Sequence, residues 1–240
     1  MEWRDRGIVL AARRHGESGH LLDVLTESHG RHGGWLRSAR SIRGALEPGS
    51  DVDVTWRARL SEHLGTWTIA DARVRAASCL DDARRLGALR AATAVSLAML
   101  PEREPHAAVH GALSALLDAI TADLDWPALY VRFELGLLQD LGFGLDLTAC
   151  ALTGVDEDLA YVSPKSGRAV TREAGAEWRE KLLVLPAFLT GGDIHQASLE
   201  DIRDGLKLTG HFLERHAHGT ALTKLTAARH QLLDLVGQMR

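Results

Sequence analysis

Cysteine is almost absent from this chain: Cys79 and Cys150 are its only two. They stand far apart in unlike contexts, which argues against a disulfide framework and for a reducing compartment. Aromatic residues make up only 5% of the 240 residues, too few for a surface paved with stacking rings. Apolar runs such as 91–100 are too short to span a bilayer. The first residues, Met1-Glu2-Trp3-Arg4-Asp5-Arg6, lack the basic-then-apolar layout of a secretory signal. A cytoplasmic protein is expected. Also missing are a Walker-type glycine loop with its lysine, a Gly-x-Ser-x-Gly elbow and a dinucleotide fingerprint. ATP use is therefore not indicated, and no enzyme is expected.

Histidine is plentiful, with twelve residues, and invites a catalytic or metal reading. His106 and His110 stand at i, i+4, but the segment His-Ala-Ala-Val-His has no glutamate to act as a hydrolase base. His211, His216 and His218 have no cysteine or carboxylate at a spacing that completes a site. Surface and capping roles account for them, and a histidine-dependent hydrolase is set aside.

The remaining composition is that of an ordinary globular protein, 45% hydrophobic and 25% charged, with mean hydropathy −0.09. Its length suits one large domain or two ordinary ones. Net charge is −4 but unevenly spread: residues 1–80 hold 12 Arg against 10 Asp and Glu, residues 81–240 hold 16 Lys and Arg against 22. Within the front part no carboxylate occurs between Glu27 and Glu47, whereas Arg31, Arg37, Arg40 and Arg43 do, among glycines that permit close backbone approach. A local basic patch on an acidic protein marks a docking place for a polyanion.

Strand signals fill the front third: Gly7–Arg14, His20–Thr26, Gly33–Ser38, Asp51–Arg59 and Thr66–Arg75. In the fourth, Val52, Val54, Trp56 and Ala58 alternate with Asp51, Asp53, Thr55, Arg57 and Arg59, the pattern of a half-buried strand. Five short strands joined by Gly, Ser and Pro turns suit a small closed barrel of the OB type. After Leu80 the period becomes helical: Asp81–Leu100, His106–Ala122, Trp126–Leu141, Ala174–Leu185, Ser198–Arg215 and Thr223–Met239. Ser198 with Asp201 reads as a capping-box start. An irregular stretch at 146–172 contains a short strand at Tyr161–Val162, a turn and a return strand. The expected fold class is α+β: an OB-fold β-barrel over residues 1–80, then an α-helical domain over 81–240 with a β-hairpin insertion.

Several blocks of residues resemble a known family. Gly7-Ile8-Val9-Leu10, His15-Gly16-Glu17-Ser18, Leu25-Thr26-Glu27-Ser28-His29-Gly30-Arg31 and Arg37-Ser38-Ala39-Arg40 are similar to the N-terminal domain of RecO. The segment Val131-Arg132-Phe133-Glu134-Leu135-Gly136-Leu137-Leu138-Gln139-Asp140-Leu141-Gly142-Phe143, then Leu147-Thr148-Ala149-Cys150, resembles that family's helix leading into a zinc-ribbon-like insertion. Thr209-Gly210-His211-Phe212-Leu213-Glu214-Arg215-His216 resembles its late helix. The resemblance covers nearly the whole chain in order. It implies a DNA-binding, strand-annealing recombination mediator of RecF-pathway repair, associated with the nucleoid. The implied partners are single- and double-stranded DNA, RecR, and the acidic-aromatic C-terminal tail of single-strand-binding protein, with loading of RecA as the outcome. One departure stands out. The family's zinc site uses two Cys-x-x-Cys pairs, and here they read Cys150-x-x-Thr153 and Thr171-x-x-Ala174. A single thiol cannot make that site, so no metal or other cofactor is expected.

The residues expected to touch DNA are Arg31, Arg37, Arg40 and Arg43, extended by Arg57 and Arg59 on the polar face of the fourth strand and by Arg14. Trp56 and Trp67 share faces with aliphatic residues and are expected in the core. Trp35 lies on the face opposite Leu36 beside Arg37 and is the candidate for base stacking. Arg132, Arg203, Lys207 and Arg215 are the candidates for a partner's acidic tail. A structural adaptor whose barrel binds protein, with an incidental basic patch, is the alternative.

Overall fold

The computed structural model describes residues 1–17, 19–37, 43–60 and 63–238, without the side chains of Arg43, Ala221 and Lys224. Five strands, β1 (Glu2–His15), β2 (Gly19–Thr26), β3 (Gly30–Arg37), β4 (Asp51–Arg57) and β5 (Gly65–Arg73), close into a barrel of order β1-β2-β3-β5-β4. β1 serves two partners. Residues Glu2–Ile8 pair with β4, residues Gly7–His15 pair with β2, and a register shift between Val9 and Ala11 bends the strand from one to the other. The strand begins earlier than the apolar run Gly7–Arg14 predicts, because charged residues at 2, 4 and 6 alternate outward around the partly buried Trp3. Closure comes where β3 meets β5 in parallel, with Gly34 opposite Gly65 and Leu36 opposite Trp67. This is the expected OB-type barrel.

Tryptophans fill the barrel and glycines make room for them. A β-carbon at Gly65 would overlap the Trp56 indole, and one at Gly34 would overlap that of Trp67. Each indole is also satisfied: Trp56 Nε1 donates to the Gly33 carbonyl at 3.2 Å and Trp67 Nε1 to that of Leu22 at 3.1 Å. Both rings pack with Val9, Leu22, Val24, Leu36, Val52 and Val54 in one apolar core.

Two helices, α1 (Ala83–Met99) and α2 (Ala107–Ala122), belong to the same compact unit as the barrel, Met1–Leu124. Asp82 caps α1, its carboxylate accepting the N–H groups of Arg84 and Arg85. The change from strand to helix falls near the expected boundary at 80, but the compact units divide later, between Leu124 and Asp125. Arg75 explains part of this. Its buried guanidinium donates to Asp51 on β4 and to Ser114 and Asp118 on α2, tying helix to barrel.

The second unit, Asp125–Arg240, contains α3 (Trp126–Asp140), then β6 (Leu159–Val162) and β7 (Ala169–Thr171), a single turn α4 (Arg172–Gly175), β8 (Leu183–Val184), α5 (Leu199–His216) and α6 (Gly219–Gly237). The short strands form a sheet of order β7-β6-β8. The helix predicted over 174–185 is replaced by α4, a 3-10 segment Ala176–Lys181 and β8. Glu177-Trp178-Arg179-Glu180-Lys181 offers no apolar stripe, and no residue of that 3-10 segment is buried, so nothing sustains a helix there. The Ser198–Asp201 capping box forms as expected.

A buried ion pair joins the long helices. Arg229 on α6 donates to both carboxylate oxygens of Glu134 on α3, at 2.7 and 2.9 Å, and to the Leu206 carbonyl on α5 at 2.6 Å. Thr209 of α5 donates to the same carboxylate. Glu134 is 0% and Arg229 3% exposed, so removing either partner strands a charge in the core. Glu134→Ala or Arg229→Ala should each cost about 3–5 kcal/mol, measured by urea unfolding. In the barrel, Gly65→Ala should cost about 1–3 kcal/mol or more by overpacking against Trp56, seen in the same measurement together with a changed tryptophan emission.

Candidate nucleic-acid interface

The barrel's phase sets which side chains reach its outer surface. On β3, His32, Gly34 and Leu36 are buried, so Arg31, Gly33, Trp35 and Arg37 point outward. Register carries that face across the neighbours. Trp35 stands opposite Leu21 on β2 and Thr66 on β5, and Thr66 stands opposite Arg57 on β4. Directly paired residues share a face, so Leu21, Trp35, Thr66 and Arg57 form one row around the outside. With strands about 4.8 Å apart, Trp35 and Arg57 are roughly 10 Å from each other. Arg13, opposite Leu21 on β1, continues the row on the other side. Of the adjacent pair Arg13 and Arg14 the sequence allows only one on this face, and Arg14 is the expected one; the cross-strand register gives the place to Arg13, while Arg14 pairs with His20 on the side of Leu36.

Trp35 packs against Gly19, where a β-carbon would collide with its indole. The Arg37 guanidinium sits over the ring, 5.5 Å from its centroid. Beside them opens a shallow slot of about 430 Å³ lined by His15, Gly16, Glu17, Leu21, Trp35 and Leu64. Leu64 is 61% exposed at its rim, an apolar group where solvent alone would favour a polar one. Arg14 projects from the same end of β1 and donates to the Glu17 carbonyl at 3.4 Å.

The expected basic residues divide into two kinds. Arg31 also points outward, but residues 100–104 cover that end of β3. Its Nε donates to the Leu100 carbonyl at 2.9 Å, and its Nη1 lies 3.5 Å from both Asp23 and Glu102. Only 15% of its side chain is exposed. Arg31 is thus a brace between β3 and the segment between α1 and α2. Arg37, Arg59 and Arg14 are exposed. Arg57 is exposed as well, and pairs with Glu2 through bonds of 3.0 and 2.7 Å, a surface ion pair of small energetic weight. Arg40 and the Arg43 side chain lie outside the described residues.

The four basic residues of the second unit do not converge. Arg132 donates to the carbonyls of Phe188 and Gly192, Arg203 to that of Gly237, and Arg215 to those of Pro164 and Lys165. Lys207 is exposed and pairs with Asp204 at 3.0 Å. Each guanidinium holds a loop or helix end, a role that composition does not reveal.

The positions of the implied zinc pairs do come together. Cys150 is buried, its Sγ 3.8 Å from Thr171 Oγ1 and accepting the Thr171 N–H at 3.4 Å. Thr171 in turn caps α4 by accepting the Ala174 N–H. Burial raises the Cys150 thiol, but hydrogen bonds from the Thr153 hydroxyl and from the N–H groups of Thr171, Leu152 and Thr153 outweigh it and bring the pKa down to about 6. One sulfur, two hydroxyls and a methyl do not fit a tetrahedral zinc centre. Among the described residues no three His, Cys, Asp or Glu side chains gather where a metal ion would sit. No described helix is long and apolar enough to cross a membrane.

Comparison with known proteins agrees with this architecture. The family model for the N-terminal part of recombination protein O matches residues 1–74, and the model for its C-terminal part matches residues 80–226. The DNA repair protein RecO of Rhodospirillum rubrum is 49% identical over 241 residues, covering 98% of this chain and 96% of its own length. The RecO proteins of Rhizobium etli and Cereibacter sphaeroides are 47% and 46% identical, covering 95% and 99% of this chain. A resemblance first carried by short blocks therefore extends over both halves, and the chain belongs to the RecO family of DNA repair proteins.

Proposed function

We propose that the protein is a non-enzymatic, DNA-binding and strand-annealing recombination mediator. The observation that carries this reading is the outward row on the barrel, where Trp35 under Arg37 lies beside an open slot and in line with Arg57. Such a surface offers what a single strand needs: cations for phosphates and a ring for an unpaired base. Arg37, Arg57, Arg59 and Arg13 supply the cations, with Arg14 exposed at the end of β1, and Arg40 and Arg43 follow Arg37 directly in sequence. Arg31 supports the strand that presents them. With few aromatics, phosphate electrostatics dominate and sequence preference is weak.

Annealing follows from the same charges. Two complementary strands repel through their phosphates, and a cationic face that holds both lowers that barrier so that base pairing supplies the driving force. No nucleotide hydrolysis enters. In the cell the protein acts in the cytoplasm, at the nucleoid, on DNA coated by single-strand-binding protein. RecR and the acidic tail of the coating protein are its partners, and RecA loading is the outcome. Lys207, exposed on α5, is the residue of the second unit best placed to meet an acidic tail. Arg132, Arg203 and Arg215 would have to exchange a carbonyl for a carboxylate.

Titration of labelled single-stranded DNA at several salt concentrations tests the cations. Arg37→Ala/Arg57→Ala/Arg59→Ala should reduce the magnitude of the salt slope by about 2, since each phosphate contact contributes about 0.7 on single strands. An unchanged slope at equal folding would refute the interface. Trp35→Ala tests the ring. It should weaken single-strand binding by about 1–3 kcal/mol and leave duplex binding nearly unchanged. Equal loss on both substrates would place Trp35 among structural residues.

A further inference from the structure

The disagreement between the implied zinc site and the residues present has a structural answer at Cys150. We propose that a sulfur-centred hydrogen-bond knot does in this chain the bracing work of a metal ion, around a backbone that keeps the corners of a tetrahedral site.

Two tight turns, distant in sequence, face each other here. The first is closed by the Gly154 N–H donating to the Cys150 carbonyl at 2.9 Å and by the Cys150 N–H donating to Val155 at 2.7 Å. Gly154, at φ 74°, supplies the left-handed residue that this reversal needs. The second is the start of α4, where Thr171 Oγ1 accepts the Ala174 N–H at 3.3 Å. The Ala151 N–H donates to the Ala169 carbonyl at 2.8 Å and holds the first turn beside β7. Sulfur then joins the two, through the Thr171 N–H at 3.4 Å and the approach to Thr171 Oγ1 at 3.8 Å. That spacing is an ordinary one for a thiol and a hydroxyl, and it also suits two corners of a metal site. Ligand atoms about 2.3 Å from a tetrahedral zinc stand about 3.8 Å from one another.

The knot also explains why one cysteine is present where three are replaced. Cys150 has 1% of its surface exposed, and a buried sulfur acceptor surrounded by donors retains its place only while those donors are satisfied. Thr171 meets the sulfur with both its N–H and its hydroxyl, Thr153 accepts the Val155 N–H within the first turn, and Ala174 needs to contribute only its backbone N–H.

Metal analysis and repair of the site test both halves of the claim. Purified wild-type protein should carry no stoichiometric zinc, and its thermal midpoint should not move with chelator. One zinc per chain, or a chelator-dependent drop, overturns the metal-free knot. Cys150→Ala should lower the midpoint by more than Cys150→Ser, which keeps an acceptor; equal losses would remove sulfur from the bracing role. The variant Thr153→Cys/Thr171→Cys/Ala174→Cys should bind one Co²⁺ per chain with the intense visible bands of tetrahedral thiolate coordination, and zinc should raise its midpoint. A folded variant without those bands, or one that stays unfolded with and without Co²⁺, overturns the retained corners.

Discussion

The closure of the barrel at Gly34 and Gly65 governs the rest of the first unit. Two strands meet there in parallel, and neither can carry a side chain at the junction because the indoles of Trp67 and Trp56 fill the space. A one-residue slip of β3 would replace Gly34 by Gly33 or Trp35 against that core and turn every other residue of the strand over. The glycine–tryptophan fit forbids the slip that brings Trp35 to the junction, and the slip that brings Gly33 there would set Trp35 in the core place of Leu36. The fit therefore fixes that Leu36 enters the core while Trp35 and Arg37 emerge beside the slot. The candidate interface is a consequence of how the core closes.

Charge on this protein is sorted by a second constraint, the demand that buried backbone carbonyls find donors. Arg85 donates to the carbonyls of Ser78, Ile120 and Thr121, and Arg31 to that of Leu100. Arg75 and Arg229 enter the interior with carboxylate partners. These arginines pin helices to the barrel or to one another and have little charge to offer a ligand. The cations left for solvent are those whose outward face no later segment covers. A count of arginines along the chain does not distinguish the two kinds, since the difference lies in contacts tens of residues away.

That distinction marks how much was legible beforehand. Local patterns carried the alternation of β4, the inward Leu36 with outward Trp35, the core placement of Trp56 and Trp67, and the Ser198 cap, because each depends on neighbours within a few residues. The helix expected over 174–185 failed where apolar residues were present but not on one stripe. Arg31 read as part of a basic patch because its cover, residues 100–104, lies far along the chain. Glu134 is a carboxylate on the apolar side of α3, and its partner Arg229 stands 95 residues later. No periodicity reports such a pair; a carboxylate at a core position is the only hint that a cation must come to meet it.

A small set of exposed cations has kinetic consequences for the proposed annealing role. Three or four phosphate contacts on a single strand give a salt slope of magnitude about 2–3, so affinity falls roughly 20- to 50-fold between 50 and 200 mM salt. A protein that clamped each strand with many contacts would hold it against its complement as firmly as against solvent. Weak, salt-sensitive contacts let a strand shift register under the protein until base pairing, worth about 1.4 kcal/mol per step, outcompetes them. Stability for this work comes from elsewhere: the indole-filled barrel and the Arg75 tie hold the first unit together, and the Glu134–Arg229 pair holds the second. The barrel's surface can then bind loosely, because the barrel's own braces lie in its interior.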